Sequence, residues 1–395
     1  MEFKELKKCM DKLVSEYNTP CVDVMVYKEH EPVFRYFAGV SDIESGKKTD
    51  GNELYIIFSM TKMLTCTGAL QLFEKGKFSM DDPLYKYLPE FENMKVSDGG
   101  YNSENAKKVT QGISPVDDNL KAGEGYAKNP ITIKNLFTMC AGFNYDLGAE
   151  YFKDAIENGK KTTAELIDAM KNTALGFEPG TRFNYSLCHD VLGALIEVWS
   201  GKKFGDYMRE NVFEPLGMKN TFFGVPKDEK RLSKIASLYV FDENRKPVKL
   251  KTQCVYNFTD EYQSGGAGLI SCTEDYALFL DALANKGVAK NGNRILLPET
   301  VELMGTNQLS GQPLADFNEL RNGYGYGMGV RTHINKEKSG SLSPLGEFGW
   351  DGAAGAFSMV DIKNKLSLTY FQHIHNWDLN IQSEIRNALY KDLNL

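Results

Sequence analysis

The stretch F-S-M-T-K-M-L-T-C-T-G-A-L-Q-L-F, residues 58–73, contains one charged side chain, Lys62. No other charged residue lies between Leu54 and Phe73, so the sequence predicts a buried helix with a lysine inside it. Lysine is rarely buried without a partner, and burial favours its neutral amine. We therefore expect Lys62 to take part in chemistry.

Ser59 stands three residues before Lys62, at the start of the predicted helix. Residues i and i+3 share a helix face, so the amine can reach the hydroxyl, and the positive end of the helix favours developing negative charge. The alternative is a serine that caps the helix and a lysine that extends to water. Two further Ser-x-x-Lys patterns, at 45–48 and 200–203, lie at polar breaks and predict solvated lysines.

Two later stretches add candidate groups. In E-P-G-T-R-F-N-Y-S-L-C-H-D, residues 178–190, Tyr185 follows a turn and precedes a helix, where it could carry a second proton; a packed aromatic is the commoner role of tyrosine. In F-G-W-D-G-A-A-G-A-F, residues 348–357, small side chains leave backbone N–H groups exposed, as an oxyanion hole requires. Alone, this stretch is also typical of a glycine-rich turn.

Composition restricts the class of protein. The 395 residues are 42% apolar and 25% charged with a net charge of −7, which is typical of a globular protein and disfavours nucleic acid or an anionic membrane as partner. The N-terminus predicts an amphipathic helix and no signal peptide, and no apolar run is long enough to span a bilayer. Seven scattered cysteines predict free thiols, and we expect a cytoplasmic protein.

Strand patterns lie at both ends of the chain and helical patterns in the middle. Strands are predicted at 21–27 and 33–40, and a hairpin at 356–372. We therefore expect an α/β (α+β) protein whose antiparallel sheet is built from both chain termini. The predicted sheet domain comprises 1–58 and 265–395, and a mostly helical region, 59–264, is inserted. The polar stretch 97–129 predicts an excursion over the surface.

Taken together, the stretches resemble the penicillin-recognising serine hydrolases, which include class C β-lactamases, DD-peptidases and esterase relatives. The resemblance extends through I-T-I-K-N-L-F-T-M-C-A-G-F (131–143), F-E-P-L-G-M-K-N-T (213–221) and G-G-A-G-L-I-S (265–271). It implies a β-lactamase/transpeptidase-like fold with flanking helices.

Two residues differ from the usual motifs of these hydrolases and indicate which subfamily the chain resembles. β-Lactamases and DD-peptidases usually have asparagine where Leu187 stands, and lysine or histidine where Trp350 stands. Without that cation, a substrate carboxylate has no anchor. The motifs instead resemble the family VIII carboxylesterases, which implies a neutral acyl ester as substrate.

The resemblance implies a role for each site residue. Ser59 would be the acylated nucleophile, and Lys62 and Tyr185 would share the proton transfers, with the base left undecided. The implied oxyanion hole is the backbone N–H groups of Ser59 and Ala353, and the implied pocket residues are Leu187, Trp350 and Gly352. No metal or cofactor is implied, and the expected partner is a small-molecule ester or amide.

Alternatives remain open at this point. Within the superfamily they are a β-lactamase, a DD-peptidase, a D-amino-acid amidase or an acyltransferase; outside it, a non-catalytic binding protein. A Ser-His-Asp enzyme is disfavoured because G-x-S-x-G is absent and His189 and Asp190 point apart on a helix. His373 and His375 lack the further ligands of a metal site. The glycines of 323–327 lack nucleotide-loop spacing and predict an alternating strand. Oligomeric state stays undecided.

Overall fold

The computed structural model describes residues 2–98, 104, 122–251, 256 and 258–395. The strands of these residues are β1 (Cys21–Lys28), β2 (Glu31–Asp42), β3 (Lys47–Lys48), β4 (Tyr55–Ile56), β5 (Lys95–Ser97), β6 (Ala122–Tyr126), β7 (Phe222–Phe223), β8 (Tyr239–Phe241), β9 (Pro247–Lys249), β10 (Leu269–Ser271), β11 (Tyr324–Tyr326), β12 (Arg331–His333), β13 (Phe348–Gly349), β14 (Phe357–Asp361), β15 (Leu366–Phe371) and β16 (Ile374–His375).

The α-helices of the same residues carry their own numbers. They are α1 (Lys4–Ser15), α2 (Thr61–Glu74), α3 (Ile133–Phe137), α4 (Glu150–Glu157), α5 (Thr163–Ala169), α6 (Cys188–Ser200), α7 (Phe204–Met208), α8 (Glu214–Leu216), α9 (Glu229–Leu232), α10 (Thr273–Ala284), α11 (Pro298–Gly305), α12 (Gly311–Leu320), α13 (Lys336–Ser339) and α14 (Asn380–Leu393). A π-helical segment, Arg209–Phe213, joins α7 to α8.

The main sheet joins the two ends of the chain. Among the described residues it has eight strands in the order β11-β12-β13-β14-β15-β1-β2-β3, and every pair is antiparallel. Strand β1 pairs on one side with β2 and on the other with β15. The predicted antiparallel sheet from both termini is therefore confirmed, as is the hairpin of β14 and β15.

Strand β1 shows how the sheet is covered. Its side chains alternate between the two faces. Val22, Val24 and Val26 pack with α1 and α14 on one face, whereas Met25 and Tyr27 pack with Ala277 of α10 on the other. Because helices cover both faces, nearly every residue of β1 is buried.

The helical middle packs around α2. Its residues from Thr61 to Leu72 are all buried, so it is a core helix that is covered on all sides, and it packs against α6. The largest apolar cluster takes residues from both predicted regions, and β7 of the inserted region pairs with β10. The division at 59 and 264 stays a prediction.

The glycine-rich stretch 323–327, predicted as an alternating strand, contains the short strand β11. The chain then reverses between 327 and 330, which pairs β11 with β12. Most of the excursion predicted at 97–129 lies outside the described residues. None of the described helices is long and apolar enough to cross a bilayer.

Candidate active site

Ser59 lies in a 3₁₀ turn, Phe58–Met60, that connects β4 to α2. Strand β4 pairs with β10, and the Ile57 N–H extends this pairing by donating to the Leu269 carbonyl at 3.1 Å. The turn is therefore fixed from the C-terminal part of the chain as well as from α2. Ser59 is 9% exposed, so a small part of it can be reached.

The residue before Ser59 has an unusual backbone conformation. Phe58 has φ of 46°, in the left-handed region that bulky residues rarely adopt. Its ring packs edge-on against Tyr256 at 5.8 Å and His375 at 5.3 Å between centroids. These contacts hold a backbone that is unfavourable in isolation, and the turn presents Ser59 in a fixed orientation.

Lys62 is completely buried one turn after Ser59. Its Nζ donates to Ser59 Oγ at 3.3 Å, to the Tyr145 hydroxyl at 3.2 Å and to the Gly266 carbonyl at 2.8 Å. The contact with Ser59 is the one that the spacing predicts. Tyr145 and Gly266 are partners that the sequence analysis missed.

Burial changes the proton affinity of this amine. Desolvation lowers the pKa of Lys62 to about 7, and the nearby carboxylate of Asp190 is the strongest opposing influence. A substantial fraction of the amine is therefore neutral at physiological pH, and a neutral amine can accept a proton.

Tyr185 lies on the other side of the serine. Its hydroxyl interacts with Ser59 and accepts a hydrogen bond from Trp350 Nε1 at 3.1 Å. Lys62 Nζ is 4.5 Å from the centroid of its ring. Burial raises the pKa of Tyr185 well above 10, against the effect of these hydrogen bonds. The phenol is therefore protonated at neutral pH.

Small residues allow the loop after β13 to reach the serine turn. A Cβ atom on Gly352 would lie 2.6 Å from the Ile57 carbonyl oxygen, so only glycine permits this approach. The Gly352 N–H donates to the Ala356 carbonyl at 2.8 Å and closes a tight turn. Ala353 follows directly, which puts its backbone beside the turn that carries Ser59.

Two side chains hold Ala353 in place. His375 Nδ1 donates to the Ala353 carbonyl at 3.2 Å, and Trp377 Nε1 donates to the same oxygen at 3.1 Å. The Ile374 N–H donates to the next carbonyl, that of Ala354, at 3.1 Å. The sequence analysis considered His375 only as a candidate metal ligand, and it passed over Trp377.

The aspartate of the W-D-G stretch has partners of its own. Asp351 accepts hydrogen bonds from Arg321 and from Gln382, each at 2.7 Å. The Arg321 side chain is nearly buried in this ion pair. The cation is therefore neutralised by a carboxylate of the protein.

The remaining predicted pocket residues are largely internal. Trp350 is 1% exposed, and its ring stacks on the ring of Tyr185 with the centroids 5.5 Å apart. It therefore packs against the tyrosine and is not itself open to solvent. Leu187 is buried in the main core at the start of α6. Its part in a pocket stays a prediction. Among the described residues no group of three or more histidine, cysteine, aspartate or glutamate side chains could hold a metal ion.

A family comparison identifies the class of this chain. The family model described as Beta-lactamase matches residues 6–388. The chain belongs to the beta-lactamase family. The predicted resemblance to β-lactamase-like and penicillin-binding-protein-like hydrolases is therefore confirmed, and it places the protein in a superfamily of serine hydrolases.

Several members of the beta-lactamase family are similar over most of their length. Protein Rv1367c of Mycobacterium tuberculosis (strain ATCC 25618 / H37Rv) is 28% identical, with 85% of this chain and 81% of that protein covered. Esterase EstB of Burkholderia gladioli is 24% identical, with the same coverage of 85% and 81%. EstB supports the likeness to family VIII carboxylesterases.

A solved structure shows the same fold. EstCE1, a hydrolase with promiscuous acyltransferase activity, superposes with a TM-score of 0.79 at 20% identity, and the superposition covers 98% of each chain. At this identity the likeness concerns the beta-lactamase fold alone.

Proposed function

We propose that this protein is a serine hydrolase that cleaves carboxylic esters through an acyl-enzyme on Ser59. The observation that carries the proposal is the buried Lys62 amine, 3.3 Å from Ser59 Oγ and with a pKa of about 7. A serine becomes an effective nucleophile when an adjacent base accepts its proton. The esterase relative EstB supports the substrate class.

Lys62 is the general base in this proposal. Tyr185 cannot serve as a phenolate near neutral pH, because burial raises its pKa well above 10. A substantial fraction of Lys62 is neutral near pH 7, and a base with a pKa near the working pH is the most effective. The difference between the two pKa values supports Lys62 as the base, a choice that the sequence left undecided.

The proposed reaction proceeds in two halves. Lys62 takes the proton of Ser59 as Oγ attacks the ester carbonyl carbon, and the N–H groups of Ser59 and Ala353 stabilise the oxyanion. The intermediate collapses, and the departing alkoxide takes a proton from Tyr185, which Lys62 reprotonates. Water then attacks the acyl-enzyme by the same route, and the acid is released.

The surroundings of the serine favour a neutral substrate. Three aromatic rings near Ser59 are stacked in a row, Tyr145 on Tyr185 and Tyr185 on Trp350. Asp351 directly follows Trp350 in the chain. Arg321 is already paired with this aspartate. Because this cation is engaged, the carboxylate of a β-lactam or a D-alanyl peptide gains no charge partner there.

The test is a comparison of substrates with one enzyme preparation. The wild type is incubated with p-nitrophenyl butyrate, with a chromogenic cephalosporin and with a peptide that ends in D-alanyl-D-alanine. We expect ester turnover to exceed the other two by at least about 100-fold in kcat/KM. Mass spectrometry of the rapidly quenched reaction should find one butyryl group on the peptide that contains Ser59.

Other outcomes would contradict the proposal in distinct ways. Preferred cleavage of the cephalosporin or the peptide would reassign the substrate class. Faster transfer of the butyryl group to an added alcohol than to water would make the protein an acyltransferase. Absence of any acyl group on Ser59 would favour a non-catalytic role.

The pH dependence of hydrolysis should follow Lys62. Because the protonated amine cannot accept a proton, kcat/KM should fall about tenfold per pH unit below the Lys62 pKa of about 7 and reach a plateau above about pH 8. Initial rates between about pH 5 and about pH 9, corrected for spontaneous hydrolysis, measure this profile. A flat profile across pH 7 would contradict the assignment of Lys62 as base.

Replacing Trp350 by phenylalanine should lower kcat by about tenfold. The substitution keeps an aromatic ring against Tyr185 and removes the Nε1 donor, 3.1 Å from its hydroxyl. A lost hydrogen bond of this kind is worth about 1–1.5 kcal/mol. Trp199→Phe is the matched control, because Trp199 is also buried and its Nε1 has no hydrogen-bond partner among the described residues. Equal rates in the two variants would contradict the prediction.

A further inference from the structure

One buried carboxylate near the site has a free oxygen. Asp190, on α6, is 1% exposed. Its Oδ1 accepts hydrogen bonds from the Ser264 hydroxyl at 2.6 Å and the Tyr262 hydroxyl at 2.9 Å. Among the described residues its Oδ2 has no hydrogen-bond partner. Two donors therefore hold one oxygen in place, whereas the other oxygen stays unsatisfied inside the protein.

The free oxygen lies beside the catalytic lysine of the proposed reaction. A Cβ atom on Gly266 would be 2.4 Å from Asp190 Oδ2 and 3.2 Å from Lys62 Nζ. The two atoms are therefore at most about 6 Å apart, a range in which opposite charges still favour each other's ionised forms. Only glycine at this position leaves room for the carboxylate.

We propose that Asp190 is a positioning residue of the site, whose buried carboxylate acts on the Lys62 amine across the Gly266 backbone and sets how readily that amine binds a proton. The inference rests on the proposed function, in which Lys62 is the base, and extends it to a residue that contacts neither substrate nor Ser59. The hydroxyls of Tyr262 and Ser264 hold the carboxylate in this orientation.

Other charged and titratable groups face Lys62 as well. They come from its own helix, from α6 and from the surrounding loops: Cys66, Tyr145, Tyr185, Cys188, His189, Asp190 and Asp351. Of the two carboxylates, Asp351 is paired with Arg321. No ion pair with a described lysine, arginine or histidine involves Asp190. Asp190 is therefore the carboxylate whose effect on Lys62 is not offset by an ion pair with a described residue.

The direction of the effect follows from charge. The carboxylate of Asp190 raises the pKa of Lys62, against the larger lowering effect of burial. Asp190→Asn keeps the shape and removes the charge, so the amine should lose its proton at lower pH. A weaker base also accepts the serine proton less well, so the plateau rate should fall.

The first experiment measures the pH profile of ester hydrolysis in Asp190→Asn. We expect the acidic limb of kcat/KM to move about one pH unit lower, and the plateau to fall several-fold. Asp361→Asn is the matched control, because Asp361 is equally buried and accepts a tyrosine hydroxyl, that of Tyr390 at 2.6 Å. A merely structural role would lower the rate without moving the limb, and that result would overturn the proposal.

A second readout does not depend on turnover. Carbon-13 NMR of Lys62 Cε, assigned by its loss in Lys62→Met, reports the titration of the amine in the wild type and in Asp190→Asn. A lower Lys62 pKa in the variant supports the inference even if no ester is cleaved, in which case the proposed function alone fails. Tyr262→Phe, which removes one donor from Asp190 and keeps the carboxylate, should move the Lys62 pKa by less than Asp190→Asn does. Unchanged titration in both variants would overturn the proposal.

Discussion

Replacing Ser59 by alanine should reduce kcat for p-nitrophenyl butyrate by at least about 10⁴-fold. The substitution removes the atom on which the acyl-enzyme is proposed to form. The Tyr145 hydroxyl also contacts Lys62, at 3.2 Å, but burial raises the pKa of Tyr145 well above 10, which makes it a poor substitute nucleophile.

A matched control is available for this variant. Ser45 begins another Ser-x-x-Lys pattern, with Lys48 three residues later, and both side chains are exposed. Ser45→Ala should keep full activity, and both variants should unfold at nearly the wild-type temperature. Equal activity of Ser59→Ala and Ser45→Ala would show that Ser59 is not the nucleophile.

Replacing Lys62 by methionine should reduce kcat by about 10³-fold and make the protein more stable. Methionine fills a similar volume and needs no hydrogen-bond partners. The wild-type amine lies in an apolar core, where either its charge is desolvated or its proton is lost, and both cost free energy of folding. The two effects have opposite signs because the property that makes Lys62 a base is unfavourable for folding.

The gain in stability should depend on pH. The pKa of Lys62 is about 7 in the folded protein and near the usual 10.5 when the chain is unfolded. Below pH 7 both states carry the proton, and the full cost of the buried charge is present. Between these values the unfolded chain binds more protons, so the cost falls as pH rises and vanishes above about 10.5.

The size of the gain follows from the pKa difference. Each pKa unit corresponds to about 1.4 kcal/mol, which sets an upper limit of about 5 kcal/mol. The lost hydrogen bonds to Ser59, Tyr145 and Gly266 reduce this to about 2 kcal/mol at pH 6.

Denaturant unfolding measures the free energy of unfolding of the wild type and of Lys62→Met at about pH 6 and about pH 9. The difference should be smaller at pH 9. Lys48→Met, at an exposed lysine, is the control and should show no such dependence. A gain equal at both pH values would contradict the account of the buried amine.

Local contacts of the site could be predicted from the sequence. Ser59 and Lys62 are three residues apart, so helix geometry alone brings them together. Tyr185 was found through the turn that precedes α6 and through the family resemblance. The hairpin of β14 and β15 was found because its apolar runs flank a polar turn.

Contacts between distant parts of the chain could not be predicted. Tyr145 and Gly266 reach Lys62 from 83 and 204 residues away, and no periodic pattern marks them. The left-handed conformation of Phe58 depends on rings from two other segments. Asp190 was examined only as a partner of His189, because a single sequence does not show which side chains meet across α6.

The position of β1 between β2 and β15 has a consequence for synthesis. Strand β1 leaves the ribosome well before one of its two partners, β15, which is made more than 300 residues later. Such distant pairing makes folding slow and leaves an unpaired edge exposed in the meantime. Ala353, the Gly266 carbonyl that accepts from Lys62 and strand β15 all follow the serine turn by about 200 residues or more. A nascent polypeptide should therefore remain inactive until these segments have been made.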